Sequence, residues 1–288
     1  MQTLILGIIN GSIYSLIALG IALVYSGSRV LNFAQAEIGT LTLYATYWVT
    51  VTEHQPWWLG ALTSIVIATA VGLAFERLIV RKMLTASRVT VAVATIGLFS
   101  LMLAIEVQFY SGTIDILPKP ISSGGFYLAG VFITWNQVLA IAVVAAIAAG
   151  LAAFLRVTDF GLAVKAAADD PVAAQLMGIP RGRVSAFTWG TAGALSAIAV
   201  LMIEPSIGAL APGAFSGLFI GGLTAALVGG LSSLPGAIVG GLAVGVAEAE
   251  VKAHVTLHAI PSPSVAAMLV IVLAVLLVRP QGILGRAA

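Results

Sequence analysis

The chain is a succession of apolar stretches, each bounded by charge, proline or asparagine, near 4–26, 34–52, 57–80, 89–110, 136–155, 184–204, 214–230, 235–250 and 264–279. A bilayer's hydrocarbon core takes about 20 helical residues to cross, so each stretch is a candidate transmembrane helix. Only 8% of the residues are charged against 60% hydrophobic, where soluble domains carry about 25% charge. A membrane β-barrel would alternate polar and apolar with a period of two, and no such alternation is sustained here. The expectation is an all-α, polytopic membrane bundle of about eight to ten transmembrane helices, forming one transmembrane domain over 1–288. Residues 214–250 leave two readings open, because Gly221-Gly222, Gly229-Gly230 and Leu234-Pro235-Gly236 interrupt the run. They fit either two helices or one re-entrant pair.

Basic residues set the expected orientation, since cytoplasmic loops retain Lys and Arg. Nine spans with an external N-terminus put Arg29, Arg77, Arg81, Lys82, Arg88, Arg156, Lys165, Arg181, Arg183, Arg279 and Arg286 inside, and leave Lys119 and Lys252 outside. The loop 156–183 and the C-terminus are then cytoplasmic, and 111–135 is external. The opening MQTLILGIINGSIYSLIALGIALVY has neither a basic start nor an A-x-A-like cleavage site, so it is expected to be a retained first span. Cysteine is absent, which excludes disulfides and thiolate chemistry.

The segment DFGLAVKAAADDPVAAQLMGIP at 159–180 is too polar for a bilayer. Asp170-Pro171 is a helix start and Gly178 a stop, so the loop reads as two short helices joined at Asp169-Asp170. Helices this short need a surface to lie on. Val172, Leu176 and Met177 form an apolar ridge suited either to a groove in another protein or to lipid headgroups. Gly217/Gly221, Gly236/Gly240 and Gly241/Gly245 are pairs of the kind that let helices approach closely, for packing or at a moving gate.

Asn32, Gln35 and Glu37 begin the second span, where polarity is costly unless it faces protein or a water-filled path. They belong either to a translocation path or its gate, or to hydrogen-bonded packing. Glu106 and Glu204, near the outer ends of their spans, are expected to mark the water interface. Glu76 and Arg77, with Arg81 and Lys82, are expected to anchor the third span to anionic lipid. His54, His254 and His258 are scattered without acidic partners at metal-binding spacing. Neither a catalytic triad nor a phosphate-binding loop is visible, and no basic surface suggests nucleic acid, so the chain is not expected to be an enzyme.

Three stretches carry a family resemblance: NGSIYSLIALGIALVYSGSRVLNFAQAEIG at 10–39, the loop at 159–180, and LVGGLSSLPGAIVGGLAVGVAEAE at 227–250. Together they resemble the branched-chain (hydrophobic) amino acid permeases of ABC importers, in order and over most of the chain. The resemblance implies a permease subunit of a binding-protein-dependent importer in the inner (plasma) membrane. It implies ATPase-coupling residues at Ala167, Ala168, Asp169, Asp170, Ala173, Ala174, Leu176, Met177 and Gly178. A substrate path is implied around Asn32, Phe33, Gln35, Glu37, Tyr44, Gly229, Gly230, Gly236 and Gly240. The implied partners are a second, homologous permease subunit, two ABC ATPase subunits that bind ATP and Mg, an extracytoplasmic substrate-binding protein, and membrane lipid; the chain itself holds no cofactor. Ala36 and Thr42-Leu43 depart from the usual Gly and Gly-Ala of the family, so the implied solute is a branched-chain or other hydrophobic amino acid, with urea, short amides or aromatic acids as alternatives. The rival reading is a stand-alone secondary carrier, which would need ion sites within its spans and no coupling loop.

Overall fold

The computed structural model describes residues 2–83, 86–110, 116–122, 124–254, 263–279 and 281–285. Eleven α-helices are described: α1 (Gln2–Ser28), α2 (Gln35–Tyr47), α3 (Trp57–Leu78), α4 (Arg88–Tyr110), α5 (Trp135–Val157), α6 (Asp159–Asp169), α7 (Pro171–Leu176), α8 (Arg181–Ile207), α9 (Ser216–Gly229), α10 (Leu234–His254) and α11 (Pro263–Val278). Six of them, α1, α3, α4, α5, α8 and α10, are long and apolar enough to cross a membrane. Two shorter apolar helices, α9 and the Val265–Val278 part of α11, occupy two more of the apolar stretches, and α2, continued by a π-helical segment, Trp48–Thr52, occupies the ninth. The interrupted stretch 214–250 is two helices, α9 and α10. They are joined by a turn in which Gly230 adopts φ +103° and accepts from Ser233 N–H at 2.9 Å.

Helix α1 is apolar all round and is therefore buried, as such a helix must be: it forms the centre, wrapped chiefly by α10, α8 and α9. Its crossing with α10 is set by glycines. A Cβ on Gly11 would lie 2.7 Å from the Gly241 carbonyl, and one on Gly7 would lie 2.6 Å from the Val246 Cα. Helix backbones approach this closely only where side chains are absent.

Two helices begin inside the bundle rather than at its ends. Gln35, the first residue of α2, packs against Gly20, which lies about eight residues, or about 12 Å, before the end of α1. The chain therefore turns back along α1 as a non-helical segment, 29–34, before α2 starts. On the opposite side, Gly222 of α9 faces Ile17 and Ala18 at mid-length of α1, so loop 208–215 descends from the end of α8 with Leu210 and Phe215 buried. Irregular backbone at such depth is tolerated only where protein or a cavity surrounds it.

The span 111–135, expected as a plain outer loop, contains an antiparallel β-hairpin. β1 (Gly125–Leu128) pairs with β2 (Val131–Thr134), Leu128 opposite Val131. Ala129 and Gly130 both have positive φ (51° and 80°), the conformation of a two-residue type I′ turn. Thr134 and Gln137 then form a reciprocal cap that starts α5.

Three expectations are corrected by burial. Glu106 and Glu204 are 0% and 1% exposed, so they do not mark a water interface. Each helix turns its acid inward, as polar groups in spans do. Glu76 is likewise buried and pairs with Arg81 at 3.2 Å, whose guanidinium also donates to the Gly182 carbonyl at 2.9 Å. These two residues tie α3 to α8, while Arg77 and Lys82 are exposed. His258 and Arg286 lie outside the described residues.

Candidate functional site

Side chains link the two breaks. The α1–α2 segment alternates: Val30, Asn32 and Ala34 are buried against the chain's own helices, while Leu31 and Phe33 are half-exposed on the other face. Phe33 packs on Phe219 of α9 with ring centroids 6.0 Å apart, which joins the break before α2 to the helix that follows the second break. Asn32 closes the turn itself: its Oδ1 accepts from Ala34 N–H at 3.1 Å, and its Nδ2 donates to Gln35 Oε1 at 3.0 Å. Gln35 Nε2 donates to the Ala192 carbonyl of α8 at 2.7 Å. Ser196 of α8 donates to the Gln35 carbonyl and accepts from Gly39 N–H at 2.9 Å. Thr95 of α4 accepts from Phe33 N–H at 3.2 Å.

These bonds explain how an open stretch of backbone survives mid-bundle: its polar groups find partners on α4 and α8, where water could not supply them. Gln35→Leu removes the bond to Ala192 and leaves the buried Asn32 amide without its acceptor. The expected cost is about 1–3 kcal/mol, read as a lowered thermal midpoint of the purified chain. An unchanged midpoint would show that Gln35 does not hold the break.

Beside this segment, Glu37 of α2 and Glu106 of α4 are immediate neighbours, and Glu106 accepts from Gly213 N–H in the second break at 3.3 Å. The sequence reading separated these two acids, yet both stand in apolar helices, the signal that marks intramembrane carboxyls for attention. Tyr44, further along α2, is also buried. The remaining path candidates form a different cluster at the α9–α10 turn. A Cβ on Gly229 or Gly236 would strike the other's backbone, and one on Gly240 would strike the Ala225 carbonyl. Gly230 packs on Gly285, and Ile283 and Leu284 donate to the carbonyls of Val228 and Gly229 at 2.8 and 3.1 Å. Through α9 and Phe219, this cluster is linked to the first.

The loop 156–183 projects from the end of the bundle where the arginines gather. Thr158 caps α6 by accepting from Gly161 N–H at 3.0 Å. Asp170 Oδ1 accepts from Val172 and Ala173 N–H at 2.9 and 3.0 Å and starts α7; Gly178, at φ +86°, ends it. Val164, Ala167 and Ala174 face inward onto Leu155 and Val184. Phe160 and Phe154 pack on Phe187 at 5.2 and 5.3 Å. Arg29 donates to the Ala168 carbonyl, which ties the loop to the start of the α1–α2 segment. The outer face is bare: Val172, Leu176 and Met177 are 68%, 83% and 83% exposed. The nine coupling candidates thus divide into inward props, Ala167 and Ala174, and an exposed or partly exposed surface of Ala168, Asp169, Asp170, Ala173, Leu176, Met177 and Gly178.

The described residues contain no group of three or more metal-ligating side chains. His254 pairs with Glu250 at 3.3 Å.

Residues 3–279 match the family model described as branched-chain amino acid transport system / permease component. The chain belongs to this permease family. It is 31% identical to the high-affinity branched-chain amino acid transport system permease protein LivH of Salmonella typhimurium, over 99% of this chain and 96% of that protein. It is also 31% identical, with the same coverage, to the corresponding permease protein BraD of Pseudomonas aeruginosa. The probable branched-chain amino acid transport permease protein LivH of Methanocaldococcus jannaschii is 28% identical over 96% of this chain and 90% of its own length. Among solved structures, PsaBC from Streptococcus pneumoniae in complex with Fab shares the fold, with a TM-score of 0.51 at 14% identity over 98% of this chain and 93% of that one. The chain is a transmembrane permease component, and the family places it in an ABC transport system with ATPase and binding-protein partners.

Proposed function

We propose that this permease passes branched-chain or other hydrophobic amino acids through the membrane, driven by ATP hydrolysis in two partner subunits, one of them seated on α7. The observation that carries the reading is the loop 156–183: an apolar ridge, largely exposed, on a short helix whose opposite face is fastened to α5 and α8. A ridge fixed in this way transmits a push from a groove into the bundle. The push reaches Arg29 and the α1–α2 segment first. A second, homologous permease subunit stands beside this one, and the path lies between them past Phe33. Asn32, Gln35, Glu37 and Tyr44 set the shape of its wall, and Gly229, Gly230, Gly236 and Gly240 allow the α9–α10 turn to shift. The basic end faces the cytoplasm, which puts the N-terminus outside, the C-terminus inside, and the binding protein at the hairpin end. ATP and Mg act in the partner subunits.

Uptake into proteoliposomes holding this chain with its ATPase and permease partners tests the reading. With the binding protein and ATP supplied, labelled leucine, isoleucine or valine is expected to accumulate, and omitting ATP is expected to abolish accumulation. Accumulation of urea or a short amide in preference to leucine would overturn the solute; uptake sustained by an ion gradient alone would overturn the mechanism.

A further inference from the structure

Three arginines, Arg29, Arg88 and Arg181, stand on the wall of a cavity of about 210 Å³ at the basic end of the bundle. The end of α1, the 3-10 turn Val80–Met83, the start of α4 and the junction between α7 and α8 meet there. The described lining contains no acid. Arg81, at this end, pairs with Glu76, and beside Arg88 and Arg181 the described wall of the cavity carries no carboxylate. Arg29 donates to the Ala168 carbonyl, reaches the Asp169 carbonyl at 3.5 Å and covers the face of Tyr25, 5.8 Å from the ring centroid.

Three like charges around one hollow repel each other unless an anion sits between them. The backbone adds to the demand: α4 begins at Arg88 and α8 at Arg181, α8 without a side-chain cap, so two long helices direct the positive ends of their dipoles at this wall. Guanidinium groups match phosphate in geometry, donating two parallel hydrogen bonds. The volume is below the roughly 300 Å³ at which pockets begin to hold drug-sized ligands, a space for a headgroup rather than a whole solute. Near Val80 and Arg88 in sequence, Leu78 at the end of α3 and Val89 and Val93 on one face of α4 are 61%, 72% and 59% exposed, apolar surface on either side of the cavity's lining residues.

We propose that this cavity binds a phosphate group, supplied by an anionic phospholipid whose acyl chains lie along Leu78, Val89 and Val93. Pro171, the first residue of α7, is on the same wall, so the bound phosphate braces the coupling loop against α4 and the α1–α2 segment.

The full chain, purified in mild detergent and offered phosphatidylglycerol or phosphatidylcholine, is expected to retain phosphatidylglycerol selectively in native mass spectra. Arg88→Gln combined with Arg181→Gln is expected to weaken that retention about 30-fold, at a factor of about five for each basic residue. Arg88→Lys with Arg181→Lys, which keeps the charge, should recover most of it. Arg156→Gln, off the cavity wall, should change nothing. Inorganic phosphate is the second probe. Failure to displace the lipid upholds the phospholipid as source, whereas displacement with the same arginine dependence overturns that source and leaves a soluble phosphate as the ligand. Equal retention of both lipids, or an equal loss in Arg156→Gln, overturns the site. So does a glutamine pair that keeps its lipid but loses the copurifying ATPase subunit, since the arginines would then serve a protein carboxylate.

Discussion

Gly245→Leu is expected to abolish recovery of a folded, monodisperse permease. At the α1–α10 crossing Gly245 lies directly on the backbone of Gly11 and Gly7, and Gly11 and Gly241 lie as close on the same seam. A side chain there cannot be accommodated by a rotamer change, because the atoms it meets are main chain. Overpacking a core with side-chain neighbours costs about 1–3 kcal/mol; against backbone the helices must separate, and the cost exceeds that range. Separation would reach far, since α1 carries contacts to α8, α9 and α10 together, and typical net stabilities are only about 5–15 kcal/mol. The comparison is Gly97→Leu and Gly150→Leu, where nothing lies within 4 Å of the added Cβ, and both should elute as the parent does. Size-exclusion profiles and thermal midpoints of the three variants decide it: a Gly245→Leu protein that matches the parent would show that the seam is not close-packed.

Met177→Asp is expected to detach the ATPase while leaving the permease itself intact. Met177 is 83% exposed and touches nothing its own fold depends on, so the charge is harmless until the ridge enters a partner. There it would be buried without a counter-charge, at a cost of about 2 kcal/mol or more, equivalent to about a 30-fold weaker complex. Leu176→Asp should behave alike. Ala174→Asp should differ, because Ala174 is an inward prop beneath α7 and its replacement loosens the loop from the bundle before any partner arrives. Copurification of the ATPase subunit, read beside the permease's own thermal midpoint, separates the two classes. Met177→Asp protein that copurifies fully and still transports removes the docking role from α7.

The apolar helices were legible because each is an apolar run with a charged or kinked border, and the two short helices of loop 156–183 because their signals are local: Asp170 caps, Pro171 opens and Gly178 closes within a few residues. The second span was expected from 34 and α2 starts at Gln35, but that this start lies inside the bundle was not legible. Leu31-Asn32-Phe33 is as apolar as the helix that follows, and the start is fixed by Gln35 with Ala192 and by Ser196 with Gly39, partners 157 residues apart in sequence. The same holds for Glu37 and Glu106, whose adjacency no spacing on either helix could announce. Glu106 and Glu204 were misplaced by arguing from depth along a helix alone, when the direction a side chain faces decides whether it meets water. The hairpin did have a signal, the short apolar strands GFYL and VFIT around Ala129-Gly130, which the search for spans passed over.

The breaks at 29–34 and 208–215 bear on how fast such a bundle changes shape. To bend a continuous span, backbone hydrogen bonds within the membrane must be stretched without water to replace them. Here the ladder is already open at both places, held by a handful of side-chain bonds such as Asn32 to Gln35 and Glu106 to Gly213, each worth about 1 kcal/mol net. Exchanging a few of these for others leaves α2 and α9 whole while their inner ends swing, a rearrangement that belongs with the microsecond-to-millisecond collective motions. Single-molecule distances between labels on α2 and α1 should then fluctuate on that timescale even without ATP, while the glycine-locked pair α1 and α10 stays fixed; equal rigidity in both pairs would refute this. The cell's energy would set the direction of a motion the resting protein already samples, and the turnover rate would be governed by how often the breaks rearrange rather than by how hard the ATPase pulls.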